Sequence, residues 1–266
     1  MEAGVRAIQS VPNVDESLTI TWIGHGTVLL EAEGVRLLTD PLLRSRVAHV
    51  RRVAAEDERS EWDVDAVLVS HVHHDHLDIR SLRLVSPERL IVPLGTGRLL
   101  RRRGFGAITE LQEGGEATVG PFTVRATHAE HHTRRLPLTA ALPALGFLIS
   151  GPVSVYFAGD TDLFEGMSEL APGLDVALVP VAGWGPRVAR GHLDPRRAAE
   201  ALRLLEPRIA IPIHWGTYRR LGMARDAETL REPAESFRRL AAELAPDVVV
   251  TILAPGESTT IAPSLA

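Results

Sequence analysis

The stretch Ser70-His71-Val72-His73-His74-Asp75-His76-Leu77-Asp78 puts four histidines and an aspartate into six consecutive positions. It follows the apolar run Ala66-Val67-Leu68-Val69, which reads as a buried strand. Imidazole and carboxylate are ligands that zinc, iron and manganese accept. Packed beside a core, such groups cost stability unless something pairs with them. His71 and His73 alternate with Val72, so on an extended backbone they point to one side and can hold one ion together. Asp75 and His76 come after the chain has begun to turn and can face a second ion. His74 falls outside this pattern and points elsewhere. A solvated loop is the alternative reading, and the apolar strand in front of the cluster argues against it.

Later positions repeat a simpler design, in which a strand delivers one ligand from its C-terminal end. Residues 122–127 lead to His128, residues 153–159 to Asp160, and residues 209–213 to His214. A lone histidine after a strand is structural in most proteins, so each signal is weak by itself. Together with the first cluster they supply seven ligands, enough for two ions with room left for water. Sites of this kind are built on loops held by a rigid scaffold.

The scaffold is legible as strand-like runs near 18–23, 27–32, 35–39, 66–70, 90–93, 121–127, 145–150, 153–158, 175–180, 208–213 and 247–253. They are rich in Val, Ile, Leu and Thr and bounded by Gly, Pro or Asp. Helical patterns fall near 79–85, 95–103, 162–170, 195–206 and 234–244. Phe237, Leu240, Ala241 and Leu244 form one apolar stripe, and Ala198, Ala201, Leu202 and Leu205 form another. Early hairpins followed by alternating strands and helices predict an α/β protein with two sheets face to face and helices outside. The polar segment at about 43–62, with Arg44, Arg46, Arg51 and Arg52, is expected to be a flexible loop over the site.

The 266 residues, 45% hydrophobic and 24% charged, are ordinary for a soluble globular protein. The candidate ligands run from position 71 to 214 without a linker between them, which predicts a single domain over 1–266. Cysteine is absent, so there are no disulfides or thiolate ligands, which fits a cytoplasmic protein. Residues 1–17 have no apolar core of a signal peptide, and no run approaches the length of a membrane helix. Lysine is also absent, which excludes Schiff-base chemistry on a lysine. A net charge of −5 gives no support for nucleic-acid binding. Arg98, Arg101, Arg102 and Arg103 read as a solvated helix face. A homo-oligomer is compatible with the sequence.

The set His71-x-His73-x-Asp75-His76, His128, Asp160 and His214 resembles the dinuclear metallo-β-lactamase superfamily, over about Leu18 to Ala254. Within it the chain looks closest to the branch holding N-acyl-phosphatidylethanolamine-hydrolysing phospholipase D and L-ascorbate-6-phosphate lactonase. The branch likeness rests on the segments 21–27, 38–41 and 70–78, and on Phe157-Ala158-Gly159-Asp160-Thr161, Gly191-His192-Leu193-Asp194-Pro195 and Ile213-His214-Trp215-Gly216-Thr217. The resemblance implies a four-layer αββα sandwich of two mixed sheets, with the site at one edge between them. It implies His71, His73 and His128 on a first metal, Asp75, His76 and His214 on a second, and Asp160 bridging both with a hydroxide. The chain departs from the phospholipases after His128, where Ala129-Glu130-His131-His132 replaces the usual tryptophan, and at Leu145-Gly146-Phe147, which weakens the case for a phospholipid substrate. His131 and His132 read as a solvated loop, with substrate contact as the alternative.

The expected activity is hydrolysis of a small or medium anionic substrate by a metal-activated hydroxide. A phosphodiester is favoured, because two ions suit in-line displacement at phosphorus. A lactone is the nearest rival, and a non-catalytic binding or sensor protein is the alternative of another class. Two zinc ions suit the ligands best, with manganese or iron as alternatives. Asp75 is expected to orient the nucleophile. His192 has a substrate or proton-transfer role or simply marks a helix entry ahead of Asp194-Pro195. Trp184 and Arg187 are expected to flank the mouth. Asp40 or Asp78 can supply the carboxylate that a metal-bound histidine needs behind it, and His25 sits in a Gly-rich turn nearby.

Overall fold

The structure, a computed structural model, describes residues 16–47, 50–55, 62–133, 141–170, 172–183, 188, 190–220 and 227–264. The strands in chain order are β1 (Leu18–Gly24), β2 (Thr27–Ala32), β3 (Val35–Thr39), β4 (Arg46–Val47), β5 (Val50–Arg52), β6 (Ala66–Leu68), β7 (Arg89–Pro93) and β8 (Ile108–Leu111). There follow β9 (Glu116–Val119), β10 (Phe122–His128), β11 (Leu145–Ser150), β12 (Val155–Phe157), β13 (Val176–Pro180), β14 (Ile209–Ile213), β15 (Tyr218–Arg220), β16 (Val249–Val250) and β17 (Ser258–Ile261). The helices are α1 (Ile79–Val85), α2 (Gly97–Arg101), α3 (Pro195–Leu205) and α4 (Ala227–Leu244).

Two seven-stranded sheets form the body, in the orders β17-β1-β2-β3-β6-β7-β8 and β16-β14-β13-β12-β11-β10-β9. Each is half antiparallel and half parallel. Strands β3, β6, β7 and β8 run parallel in the first sheet, and β12, β13, β14 and β16 in the second. Alternation along the first sheet assigns its faces. Leu18, Ile20 and Trp22 of β1, Ala66 and Leu68 of β6, and Ile91 of β7 join the core shared with Val124, Phe147, Phe157, Leu178 and Ile211 of the second sheet. Their neighbours Val67, Leu90 and Val92 turn to the opposite face and pack with Leu82, Val85 and Leu100 of α1 and α2. On the second sheet Ala198 and Leu202 of α3 and Phe237 of α4 complete the outer layer. This is a four-layer αββα sandwich.

The helices start as their sequences dictate. Asp194 accepts a hydrogen bond from the Arg197 amide at 2.9 Å and Pro195 occupies the first turn of α3. Asp78 accepts from the Ser81 amide at 2.9 Å and caps α1. The structure corrects several expectations. The helix expected over 162–170 is only a 3-10 turn at Met167–Glu169, because Gly166 ahead of it adopts a left-handed φ of 87°. The last helix begins at Ala227 and runs through Pro233 rather than starting after it. The expected loop at 43–62 contains β4 and β5, which pair with β15 in a three-stranded sheet. Val47 and Val50 bury themselves there against Leu42 and Tyr218. Residues 48–49 and 56–61 lie outside the described residues.

One buried carboxylate ties the second sheet to the C-terminal segment. Asp175 accepts from the Ser154 amide and hydroxyl, both at 2.9 Å, and from Ser264 Oγ at 2.6 Å, with Arg208 at 3.4 Å. Burial alone would raise its pKa, but the hydrogen bonds from Ser264 and Ser154 and the Arg208 guanidinium hold it below the usual carboxylate value. A depressed folded pKa contributes stability above the unfolded value, and this is lost as pH falls through the folded pKa. Asp175→Ala is therefore expected to cost roughly 2 kcal/mol near pH 7. Urea unfolding of variant and parent should converge as the pH is taken into the acid range, with metal content unchanged.

Candidate metal centre

The candidate ligands emerge where strands end. Asp40 follows β3, Ser70 and His71 follow β6, Asp160 follows β12 and His214 follows β14. These strands lie in the parallel halves of the two sheets, so within each sheet their C-terminal ends share an edge, the usual place for a site. His25, Asp40 and His214 have φ of 54°, 33° and 64°, in the left-handed region that few non-glycine residues adopt. Such outliers gather where side chains must be aimed at a site.

Several groups of ligand atoms converge. In one, His71 Nε2 lies 3.0 Å from His73 Nδ1, which lies 3.2 Å from His131 Nε2. Nitrogens around a tetrahedral zinc at about 2.0–2.1 Å stand roughly 3.3 Å apart, close to this spacing. A second group joins His25, Asp75, His76 and His214, whose ligand atoms all lie within 4.8 Å of one another. Asp160 stands between the two. Its Oδ2 is 3.1 Å from His76 Nε2, 3.9 Å from His71 Nε2 and 3.4 Å from His192 Nε2, while Oδ1 is 3.4 Å from His214 Nε2. Asp160 Oδ1 and His76 Nε2 are buried and make no hydrogen bond with the described residues. Buried polar atoms that face one another without hydrogen bonding are costly unless an ion joins them. The donor set, imidazole and carboxylate, fits a pair of divalent cations.

The other nitrogen of most of these histidines is anchored away from the centre. His76 Nδ1 donates to Asp40 Oδ2 at 2.7 Å, His214 Nδ1 to the Ala182 carbonyl at 2.8 Å, and His131 Nδ1 to the Gly191 carbonyl at 2.7 Å. His71 Nδ1 lies 2.9 Å from Ser70 Oγ, which donates to Asp40 Oδ2 at 2.5 Å. Asp40 thus holds His76 directly and His71 through Ser70. These partners put the proton on Nδ1 of His71, His131 and His214 and leave their Nε2 lone pairs facing inward, as metal binding requires, and Asp40 fixes the ring of His76 in the same inward orientation. Asp78, the other carboxylate considered for this task, caps α1 and pairs with Arg44 instead.

Electrostatics agree with this protonation. Burial lowers the pKa of His71, His73 and His214, takes His25 to about 3 and His131 to about 4, and so keeps these rings neutral. His76 is the exception. Burial opposes its charge, but Asp160, Asp75 and Asp40 around it outweigh burial and raise its pKa well above the usual value. Burial likewise opposes ionisation of Asp75 and Asp160. His76 and His25 hold Asp75, and His214 and His76 hold Asp160, well below the ordinary carboxylate range. The centre combines neutral donors with ionised carboxylates and favours positive charge.

Two histidines differ from the sequence expectation. His128, expected on the first metal, ends β10 with its side chain 42% exposed and facing Glu113 at 3.2 Å and Glu130 at 3.6 Å. It is outside every convergent group, and His131 stands with His71 and His73 instead. The chain continues through Ala129 and Glu130, bridged to Asp162, before it turns back to the centre. His25, expected near the site, brings Nε2 to within 3.2 Å of Asp75 Oδ2 and so belongs to the second group. His132 is exposed. His192 lies at the edge of the centre with its side chain 22% exposed, its ring 4.6 Å from that of His131. Trp184 and Arg187 lie outside the described residues.

Gly159 is the tightest point behind Asp160. Its φ is +60°, and a Cβ there would sit 2.8 Å from Ser70 Cβ and 3.1 Å from the Leu145 carbonyl oxygen. Gly159→Ala should force apart the strand ends that carry Asp160 and Ser70. A loss of roughly 1–3 kcal/mol in stability is expected, together with weaker metal binding. Calorimetric melting and metal titration would measure both.

Comparison with known proteins agrees with the fold and the chemistry. The sequence matches the Beta-lactamase superfamily domain over residues 35–215. The chain belongs to this superfamily, among its metal-dependent hydrolases. It is 32% identical over 248 residues to a UPF0173 metal-dependent hydrolase of Methanopyrus kandleri, spanning 91% of this chain and 99% of that protein. It is 30% identical over 239 residues to N-acyl-phosphatidylethanolamine-hydrolyzing phospholipase D 1 of Caenorhabditis elegans, spanning 77% of this chain and 65% of that protein. Among solved structures, the metallo hydrolase Igni18 of Ignicoccus hospitalis superposes with a TM-score of 0.69 at 23% identity, over 92% of this chain and 98% of that one. None of the described helices is long and apolar enough to cross a membrane.

Proposed function

We propose that this chain hydrolyses a phosphodiester at a centre of two divalent metal ions, zinc being the metal its ligands suit best. His71, His73 and His131 would hold one ion, and Asp75, His76 and His214 the other, with His25 beside this second group and Asp160 facing histidines of both. The observation that carries this reading is the position of Asp160, whose two oxygens face histidines of both groups. Like-charged ions close together need an anion between them, and this carboxylate is the one at hand. When bound, the pair supplies a nucleophilic water near neutral pH and polarises the bond under attack.

The protein's own groups do the rest. Asp40 and Ser70 fix the rings of His76 and His71, so the donor atoms are aimed before substrate arrives. Asp75, with its side chain 17% exposed, accepts a hydrogen bond from the attacking water and orients it. His192 Nε2 passes a proton to the leaving oxygen at the mouth of the site. A cavity of about 650 Å³ whose wall includes His25, His214 and Tyr218 borders the second ligand group and would take the part of the substrate beyond the reacting bond. Arg219 and Arg220 line the same cavity and suit an anionic substrate.

A panel of phosphodiesters and lactones, assayed with zinc and with manganese, tests this reading. Turnover of phosphodiesters is expected. Turnover of lactones alone would reassign the substrate class, and turnover of neither would leave a binding or sensor role.

A further inference from the structure

Away from the convergent ligand groups, a second cavity of about 350 Å³ is lined by Arg44, Arg80, Arg83, Arg103 and His74, with Asp78 as its one carboxylate. Asp78 is already engaged. Its Oδ1 accepts from Arg44 Nη1 at 3.2 Å, and its Oδ2 accepts from Ser81 Oγ at 2.7 Å and the Ser81 amide at 2.9 Å. One carboxylate therefore offsets Arg44 and leaves Arg80, Arg83 and Arg103, none of which makes an ion pair among the described residues. Arg83 is drawn toward Arg103 by a hydrogen bond from its Nη2 to the Arg103 carbonyl at 3.3 Å. This concentration of cations stands out in a chain of net charge −5.

Guanidinium groups around one small concavity repel each other, and an anion among them removes that repulsion. The planar fork of arginine matches the oxygens of a phosphate two at a time. The volume is at the small end of ligand pockets, which span about 300–1,000 Å³, and suits a phosphate group with little attached. His74, the histidine of the 71–78 segment that joins no metal-ligand group, borders this cavity. One segment therefore borders two sites, the metal centre through His71, His73, Asp75 and His76, and the arginine cavity through His74 and Asp78.

We propose that the cavity bounded by Arg44, Arg80, Arg83 and Arg103 is a separate binding site for a phosphate-bearing anion. The test is calorimetric titration of inorganic phosphate into the metal-loaded protein and into an Arg80→Ser, Arg83→Ser double variant. Arg103→Ser serves as a second variant, and thermal melting checks that each is folded. The parent is expected to bind two phosphates per chain, one at the metal centre and one here. The double variant should weaken one of the two at least tenfold, with metal content unchanged. Cosedimentation with phosphatidylcholine vesicles, with and without phosphatidylglycerol, separates the two sources of such a group. Arginine-dependent binding to the anionic vesicles assigns a lipid headgroup, and arginine-dependent binding of free phosphate alone assigns a soluble phosphate ester. Phosphate and vesicle binding that is the same in parent and variants would overturn the proposal.

Discussion

Asp160→Ala is expected to lower hydrolytic turnover by roughly 10³-fold or more. The expectation follows from where the carboxylate sits. Asp160 faces His76 and His71 through one oxygen and His214 through the other, so its removal leaves the two groups of histidines with nothing between them. The loss is of ions as well as of rate. Metal that binds the folded chain raises its melting temperature by mass action. In the parent, chelation should therefore lower the melting temperature, and in Asp160→Ala most of that difference should vanish. Asp160→Asn keeps the shape but not the charge and should fall between the two. A variant that kept both its ions and its rate would remove the reason for placing Asp160 at the centre.

His131→Ala and His128→Ala should differ sharply, although the two residues are close in sequence. His131→Ala leaves His71 and His73 as the only nitrogens of the first group, and turnover should fall by about 10²–10³-fold with loss of one ion per chain. His128→Ala removes a half-exposed ring whose partners are Glu113 and Glu130, and turnover should stay within about twofold. Metal analysis and initial rates on the two purified variants give the answer directly. Equal losses, or a greater loss at His128, would contradict the geometry.

That pair also marks how far the sequence could be read. The cluster at 71–76 was legible because four histidines and an aspartate directly behind an apolar strand are costly to pack unless a metal ion joins them. The strands were legible where both faces are buried, as in Ala66–Leu68, Val155–Phe157 and Val176–Pro180. The rule that a ligand follows its strand at once places Asp160 and His214 at the centre but fails at His128, because the chain makes a short excursion through Glu130 before returning. The usable signal was the second histidine pair, His131-His132, within a few residues of the strand end. His25 was obscured in a different way. Its aim depends on φ values of +131° at Gly24 and +54° at His25, and residue types alone do not specify such a turn.

Polar edge strands were the other gap. β17 reads Ser258-Thr259-Thr260-Ile261 and lacks an apolar face, but it pairs with β1 and aligns Ser258 with Thr21 and Thr260 with Thr19 through their hydroxyl groups. β4 and β5 are short and arginine-rich, and only Val47 and Val50 are buried against Leu42 and Tyr218. β4 pairs with the adjacent β5, but β5 itself pairs with β15 and β17 with β1, partners more than a hundred residues away, so these pairings have no local signature.

The central claim is that ligands from four separate loops, those after β6, β10, β12 and β14, close around a pair of cations. It is tested most directly by a crystal grown without added metal, with anomalous scattering collected at the zinc, iron and manganese edges. The account predicts two peaks flanking the Asp160 carboxylate, one among His71, His73 and His131 and one among Asp75, His76 and His214. A peak at His128, or no peak beside Asp160 even after soaking in zinc and manganese, would contradict it.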